Sequence, residues 1–204
     1  MAEQVAKIKK KQWYPIIAPK QFAEAVIGET LAAEPQQMLG KTLSHSLMNL
    51  TNDVKRQNVN IHFRVVGVEN NTAKTSIIGY EIVPSSIKRM VRRNSMKADL
   101  SFNCETSDNV FLRVKPLVVT RADIKGSVAA KLRNNIILFL TRTIKKMTYE
   151  EVLNDLISHK LQSLMKGTFN KIYPLKGCEI RYLGIEAREK PQEIKEAEVK
   201  EEQK

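Results

Sequence analysis

Cysteine is nearly absent: Cys104 and Cys178 are the only two, they form no C-x-x-C pair, and His45, His62 and His159 lie far apart in the chain. A structural zinc site needs four clustered ligands. No metal or cofactor is therefore expected, and the two thiols read as reduced and mostly buried. Glycine is scarce as well, with eight in 204 residues. No G-x-G-x-x-G, no G-x-x-x-x-G-K, no G-x-S-x-G and no H-E-x-x-H occurs, which removes the common phosphate-cradling, nucleophile-elbow and metalloprotease signatures. Asp53 and Glu81 fall at a turn and within a strand, where turn chemistry and surface charge account for them. His62 alternates outward on a strand and reads as a solvent or RNA contact, not a general base. Long apolar runs are missing too. The longest, Ile136 to Leu140, falls far short of the ~20 residues of a membrane span. The stretch Trp13 to Ala18 behind the first lysines holds Pro15 and is too short for the apolar part of a signal peptide. The expectation is a cytoplasmic protein that is not an enzyme and has no membrane partner.

Positive charge is what the chain has in excess. Lys and Arg number 34 against 22 Asp and Glu, for a net charge of +12 and a pI near 9.7. Such a balance points to a polyanionic partner. The excess is uneven: Glu189 to Lys204 carries −2 and the other 188 residues +14. With 42% hydrophobic residues, a sizeable core can form. The division expected is a basic arm over 1–20, one folded unit over 21–188, and an acidic, disordered tail over 189–204.

Hydrophobic spacing gives the elements. After a mixed segment around Gln21 to Ala33, broken at Gly28, period two takes over in Thr42 to Leu50. It is clearest in Val59 to Val68, where Val59, Ile61, Phe63 and Val65 alternate with Asn60, His62 and Arg64. Strands follow at Lys74 to Val83, Asp99 to Cys104 and Val110 to Val119. Turns rich in Asn and Asp (51–53, 69–71, 106–109) tolerate left-handed backbone. Pro84-Ser85-Ser86 opens a short helix over Ile87 to Arg93. From Ala122 to Met147 the period becomes 3.6, with Val128, Leu132, Ile136, Phe139, Leu140 and Ile144 in one stripe. Thr148 and Glu151 make a capping box for a second helix running to about Lys166, with Gly167 as its stop. A last strand spans Cys178 to Ile185. Strands first and long helices after them describe an α+β fold, here an antiparallel, partly closed β-barrel with flanking C-terminal helices.

The cations fall into groups. Lys7, Lys9, Lys10 and Lys11 precede Trp13, and Lys20 ends the arm. A cationic arm can follow a phosphate backbone while an aromatic stacks on an unpaired base. Trp13 is therefore an RNA-binding candidate, and packing in the protein's own core, the commoner fate of a single Trp in a chain this long, is the alternative. Lys88, Arg89, Arg92, Arg93 and Lys97 are the densest cluster. On a helix, 88 and 92 share a face, as do 89 and 93, with Ile87, Met90 and Val91 on the inward side. So many cations on one short helix repel one another unless a polyanion sits nearby. Arg113, Lys115, Arg121 and Lys125 are weaker candidates for the same RNA surface.

Together these residues resemble the S-three-Ae (e-S-one) family of archaeal and eukaryotic small-subunit ribosomal proteins. The marks are Lys11 and Trp13-Tyr14 leading to Ala18-Pro19-Lys20; Ile27-Gly28-Glu29-Thr30; Leu50-Thr51 with Asp53; Val91-Arg92-Arg93; Arg113 through Thr120; and Lys171-Ile172-Tyr173-Pro174-Leu175. Asn52 stands where the family usually has Gly, and Asn94 where it often has a third basic residue. The resemblance implies a β-barrel with flanking helices on the platform of the small subunit, near the mRNA exit and the 3′ end of the small-subunit rRNA. The partners it implies are small-subunit rRNA, neighbouring platform proteins and mRNA near the exit. The alternatives are a free-standing RNA-binding chaperone and an RNA-modification factor.

The tail shares the sign of RNA and has few apolar residues, so deleting Glu189 to Lys204 is expected to leave subunit association intact. Loss of the truncated protein from purified small subunits, read by immunoblot of sucrose-gradient fractions, would show the tail to be an anchor.

Overall fold

The computed structural model describes residues 10–69 and 71–186. Among these residues, a nine-stranded sheet and five α-helices make up an α+β fold. The strands are β1 (Gln12–Ile17), β2 (Val26–Ala32), β3 (Thr42–Ser46), β4 (Val59–Glu69), β5 (Thr72–Ile82), β6 (Lys97–Asp99), β7 (Phe102–Glu105), β8 (Phe111–Thr120) and β9 (Leu175–Ile185). The helices are α1 (Leu47–Thr51), α2 (Pro84–Met90), α3 (Gly126–Ile144), α4 (Tyr149–Ile157) and α5 (Lys160–Phe169).

The sheet forks at β5. One edge of β5 pairs antiparallel with β4 along its length, from Val59↔Ile82 to Glu69↔Thr72, and β3 adds to the far side of β4. The other edge is divided. Its first residues take β1 in parallel, Ile16↔Ala73 and Ile17↔Lys74, and its last take β9 antiparallel, Gly79↔Gly184 to Glu81↔Tyr182. From there β8 follows β9, and β8 carries β6 and β7 on its other edge. Among the described residues no ladder joins β2 or β3 to β6 or β7. The barrel closure expected from the sequence is therefore not made by hydrogen bonds: two strands share one edge of β5, so the sheet divides where a barrel would continue.

Gln12 to Ile17, read as part of a free arm, is a strand hydrogen-bonded to β2 from Gln12↔Ala32 to Ile17↔Val26. Tyr14, Ile16 and Ala18 alternate inward and are buried. Gly28 does not break this segment. It lies opposite Ile16, where the ladder slips by one residue, a place that favours a residue without a side chain. Pro116 occupies a similar position in β8. The partners change from Lys115↔Tyr182 to Pro116↔Ile180, leaving Arg181 as the extra residue, and a strand interior tolerates a missing N–H at such a bulge.

The helices cover the apolar face of the sheet. Ala129, Leu132, Ile136, Leu140 and Ile144 are the buried positions of α3, three and four residues apart, so they form one stripe. The capping box at Thr148 is formed both ways: the Glu151 amide donates to Thr148 Oγ1 at 3.3 Å and the Thr148 amide to Glu151 Oε2 at 2.9 Å. The single second helix expected to Lys166 is two helices. His159 adopts a left-handed φ of 58°, a region where His is enriched among non-glycine residues. α5 then runs through Gly167 to Phe169 and buries Leu161, Gln162, Met165 and Phe169. Leu47 likewise opens α1, so the period-two stretch over 42–50 is a strand only to Ser46. Cys104 and Cys178 are both buried free thiols, and burial pushes them up to about 11 and about 12.

Leu156 is fully buried, so Leu156→Ala is expected to cost about 2–5 kcal/mol by loss of apolar contact and cavity formation. Thr148→Ala, which removes only the cap, is expected to cost about 1 kcal/mol. Urea unfolding followed by circular dichroism checks both, and equal costs would contradict this account of the helix.

Candidate RNA interface

α2 begins with Pro84 at its first position, where a missing N–H is harmless. Ile87 packs against the main core and Met90 and Val91 are half-buried, which fixes the helix on the sheet. The helix ends at Met90, and Val91 returns to extended backbone with φ −82° and ψ 119°. Arg92 and Arg93 therefore lie in the turn that follows, not on the helix. That turn is closed by Ser95 Oγ donating to the Arg92 carbonyl at 2.6 Å and by Asn94, whose φ of 60° is left-handed. The shared helical faces expected for 88 with 92 and 89 with 93 are not formed. The four cations instead project from two consecutive segments. All four are exposed, and among the described residues none of them forms an ion pair.

β9 reinforces the helix from behind, because Lys176 Nζ donates to the Met90 carbonyl at 3.1 Å, one of the carbonyls a helix leaves open at its C-terminus. Met96 and Thr120 exchange backbone and hydroxyl hydrogen bonds, with the Thr120 amide 3.0 Å from the Met96 carbonyl and the Met96 amide 3.0 Å from Thr120 Oγ1. These bonds hold the Arg92–Ser95 turn against the end of β8, from which Arg121 and Lys125 follow, both exposed. Lys125 sits at the N-cap position of α3.

A cleft of about 390 Å³ lies between α5 and β9, with Met90 of α2 also in its wall, and one of about 320 Å³ runs beside α2. The smaller one gathers Lys88, Lys97, Lys115 and Arg181 with Glu81 and Tyr182. Its cations are already engaged in part. Asp99 Oδ2 pairs with Lys97 at 2.9 Å and with Arg181 at 2.6 Å, and Lys115 Nζ lies 4.7 Å from the Tyr182 ring centroid, a cation–π contact. His62 Nε2 lies 3.2 Å from Glu81 Oε2 on the same side. Arg113 is occupied as well, reaching Glu186 Oε1 at 2.6 Å and Ser101 Oγ at 3.2 Å.

The arm residues are elsewhere. Lys10, Lys11 and Lys20 are exposed, but β1 joins the start of β5 while α2 follows its end. At ~3.3 Å per residue, about 25 Å of β5 separates Lys74, where β1 pairs, from Ile82, after which α2 follows. Trp13 is 67% exposed, beside Leu31 in the ladder. It does not pack in the core, because Tyr14 and Ile16 take the inward positions of β1 and leave Trp13 outward. Lys7 and Lys9 lie outside the described residues. Lys176, Arg181 and Tyr182 were not singled out in the sequence. The only cue to the last two was Pro116, whose presence within a strand implies a bulge in its partner.

Comparison with known proteins gives the family. The profile of the Ribosomal S3Ae family matches residues 2–188. The chain is 31% identical over 185 residues to the small ribosomal subunit protein eS1 of Haloarcula marismortui, covering 91% of this chain and 86% of that one. It is 34% identical over 174 residues to the protein of the same name from Sulfurisphaera tokodaii, covering 85% and 90%. For that of Methanothermobacter thermautotrophicus the identity is 32% over 172 residues, covering 84% and 88%. A basic α+β sheet protein with a cationic outer surface is the class the fold defines. The chain belongs to the Ribosomal S3Ae family of ribosomal proteins.

The free and the engaged cations should behave differently. Arg93→Ala is expected to lower the slope of log affinity against log salt for rRNA fragments by about one unit, the signature of one lost phosphate contact. Arg113→Ala, which loses a partner already in place, should leave that slope nearly unchanged. Fluorescence anisotropy across a potassium chloride series separates the two, and a reversed order would contradict the assignment.

Proposed function

We propose that this chain is a structural constituent of the small ribosomal subunit, working in translation as an rRNA-binding protein in the cytoplasm. Its place in this reading is the platform near the mRNA exit, beside neighbouring platform proteins and within reach of the emerging mRNA. The observation that carries the reading is the match to the Ribosomal S3Ae family over residues 2–188. Lys88, Arg89, Arg92 and Arg93, exposed on a fixed support and free of ion pairs among the described residues, make the contact. Arg presents a planar fork of donors that a phosphate can accept two at a time. An apolar inner face filled by helices leaves the outer, polar face for RNA.

The chemistry required is positional. Phosphate contacts fix the register of a protein on nucleic acid, and affinity follows the counterions they release. The division of charge supports the same picture: the first 188 residues carry +14, and Glu189 to Lys204, at −2, shares the sign of the RNA.

Arg92→Ala with Arg93→Ala is expected to weaken incorporation into small subunits while moving thermal stability by less than ~0.5 kcal/mol, since both side chains are exposed. Sedimentation of lysates at low and high salt, with Lys195→Ala plus Lys200→Ala as the charge-matched control, reads this out. Normal assembly of the arginine variant, or a clearly lower melting temperature, would remove these residues from the interface.

A further inference from the structure

Three buried side-chain atoms lack a hydrogen-bond partner among the described residues: Tyr80 Oη, Gln162 Oε1 and Glu179 Oε2. They are not scattered. Gln162 and Glu179 line the same cleft of about 390 Å³ between α5 and β9, and the Tyr80 hydroxyl feels the Glu179 charge. An unsatisfied buried polar atom costs about 1–3 kcal/mol, so three near one cleft call for a reason.

The orientation of Gln162 is fixed. Its residue is 3% exposed, and its Nε2 donates to the Leu156 carbonyl at 3.1 Å. A carbonyl accepts only from the amide nitrogen, so Oε1 must be the free acceptor. One Glu179 oxygen is buried while the side chain keeps 28% exposure through the mouth. His159 Nδ1 is 3.9 Å from it, too far for a hydrogen bond. Of the three unsatisfied atoms, the two on residues lining the cleft, Gln162 Oε1 and Glu179 Oε2, are acceptors and only the neutral Tyr80 hydroxyl can donate; two acceptors at one cleft ask for a ligand edge carrying adjacent N–H groups.

The rim decides between two such ligands. Lys166 and Lys176 line the mouth, and Met90 of α2 forms one wall, next to Arg89 and the Arg92–Arg93 turn. This positive rim disfavours the guanidinium of a protein partner and favours a neutral group carried on an anionic backbone. Among the nucleobases, guanine alone presents N1–H and an amino group side by side, a match for a carboxylate. A volume of this size lies within the range of small-ligand sites.

We propose that the cleft between α5 and β9 receives an unpaired guanine base of single-stranded RNA, with Glu179 and Gln162 accepting from its N1–H and amino group and Lys166 and Lys176 facing its phosphates. This rests on the reading of α2 and its turn as an RNA surface, and places a base-specific pocket beside that phosphate-binding one. Burial pushes the Glu179 carboxyl up to about 7. Guanine needs the ionised form, so its preference is full above that pH and falls as the pH drops through it. The groups around Glu179 are His159, held below its usual value by burial and by Arg56, together with Lys166, Tyr80 and Cys178, whose hydroxyl and thiol burial keeps neutral.

The test uses the full chain, fluorescently labelled heptauridylate, and the same strand with guanosine or inosine at its fourth position. The guanosine strand is expected to bind about tenfold or more tightly than heptauridylate, with inosine, which lacks the amino group, in between. Glu179→Gln, which keeps the shape, should erase the preference, bringing the ratio of guanosine-strand to heptauridylate affinity on that variant close to one. Arg92→Ala with Arg93→Ala should weaken all strands alike and keep the ratio. Equal binding of all strands, or a preference that survives Glu179→Gln, overturns the pocket and leaves the RNA surface standing. Absence of binding by any strand at low salt overturns both. Displacement of the guanosine strand by acetyl-Gly-Arg-Gly-amide would make the cleft a protein contact and overturn the base assignment.

Discussion

Everything in this fold hangs on the hydrogen bonding of β5. The strand gives one edge wholly to β4 and splits the other between β1, at Ala73 and Lys74, and β9, at Gly79 to Glu81. That split sends the β1–β2 pair off one end and carries β9, β8, β6 and β7 from the other. Two cores result. The larger one joins β4, β5, β8 and β9 to α3, α4 and α5. The smaller one, with Tyr14, Ile16, Ala32, Met38, Val65 and Ala73, lies under the β1–β2 wing. Because an inner face filled by helices leaves little room for charge, the cations are pushed to the outer face and to the ends of strands.

The fork also sets the distances between basic groups. Lys10, Lys11, Lys20 and Trp13 belong to one end of β5, whereas α2 and the turn after it belong to the other. A polyanion touching both would have to span the length of a strand. Within the second group, Pro116 and the displaced Arg181 turn a regular ladder into a cleft, and Asp99 draws two cations together across it. Charge density in the sequence therefore overstates what is available at the surface. Lys97, Arg113 and Lys115 have internal partners, while Lys88, Arg89, Arg92 and Arg93 project free of ion pairs among the described residues.

Much of this was legible from the amino-acid order. The alternation of Val59, Ile61, Phe63 and Val65, the stripe through Leu132, Ile136, Leu140 and Ile144, and the Thr148–Glu151 box each state a local rule that tertiary contacts reinforce. Asn52, Asn71 and Asn109 take the left-handed backbone that the turn segments called for. The misses share a cause: punctuation that acts only in context. Gly28 reads as a breaker, yet it sits at a bulge in the β1–β2 ladder. His159 carries no breaker signal, yet it divides a helix. Arg92 and Arg93 continue a helical spacing, but Asn94 and Ser95 close a turn before that spacing can matter. The polar cleft was invisible because Gln162 sits on an apolar stripe and Glu179 in a strand, and only the packing of α5 on β9 places them in one cleft.

The bond from Lys176 to the end of α2 has a kinetic meaning. A helix of seven residues is too short to persist alone in water, where even 12 to 15 residues are marginal. Held by the Met90 carbonyl on one side and by Ile87 on the other, it stays wound in the free protein. A partner arriving at this surface meets side chains whose backbone is already ordered, so little conformational entropy remains to be lost on contact. Encounter is then governed by diffusion and long-range attraction, and not by the waiting time for a coil to wind.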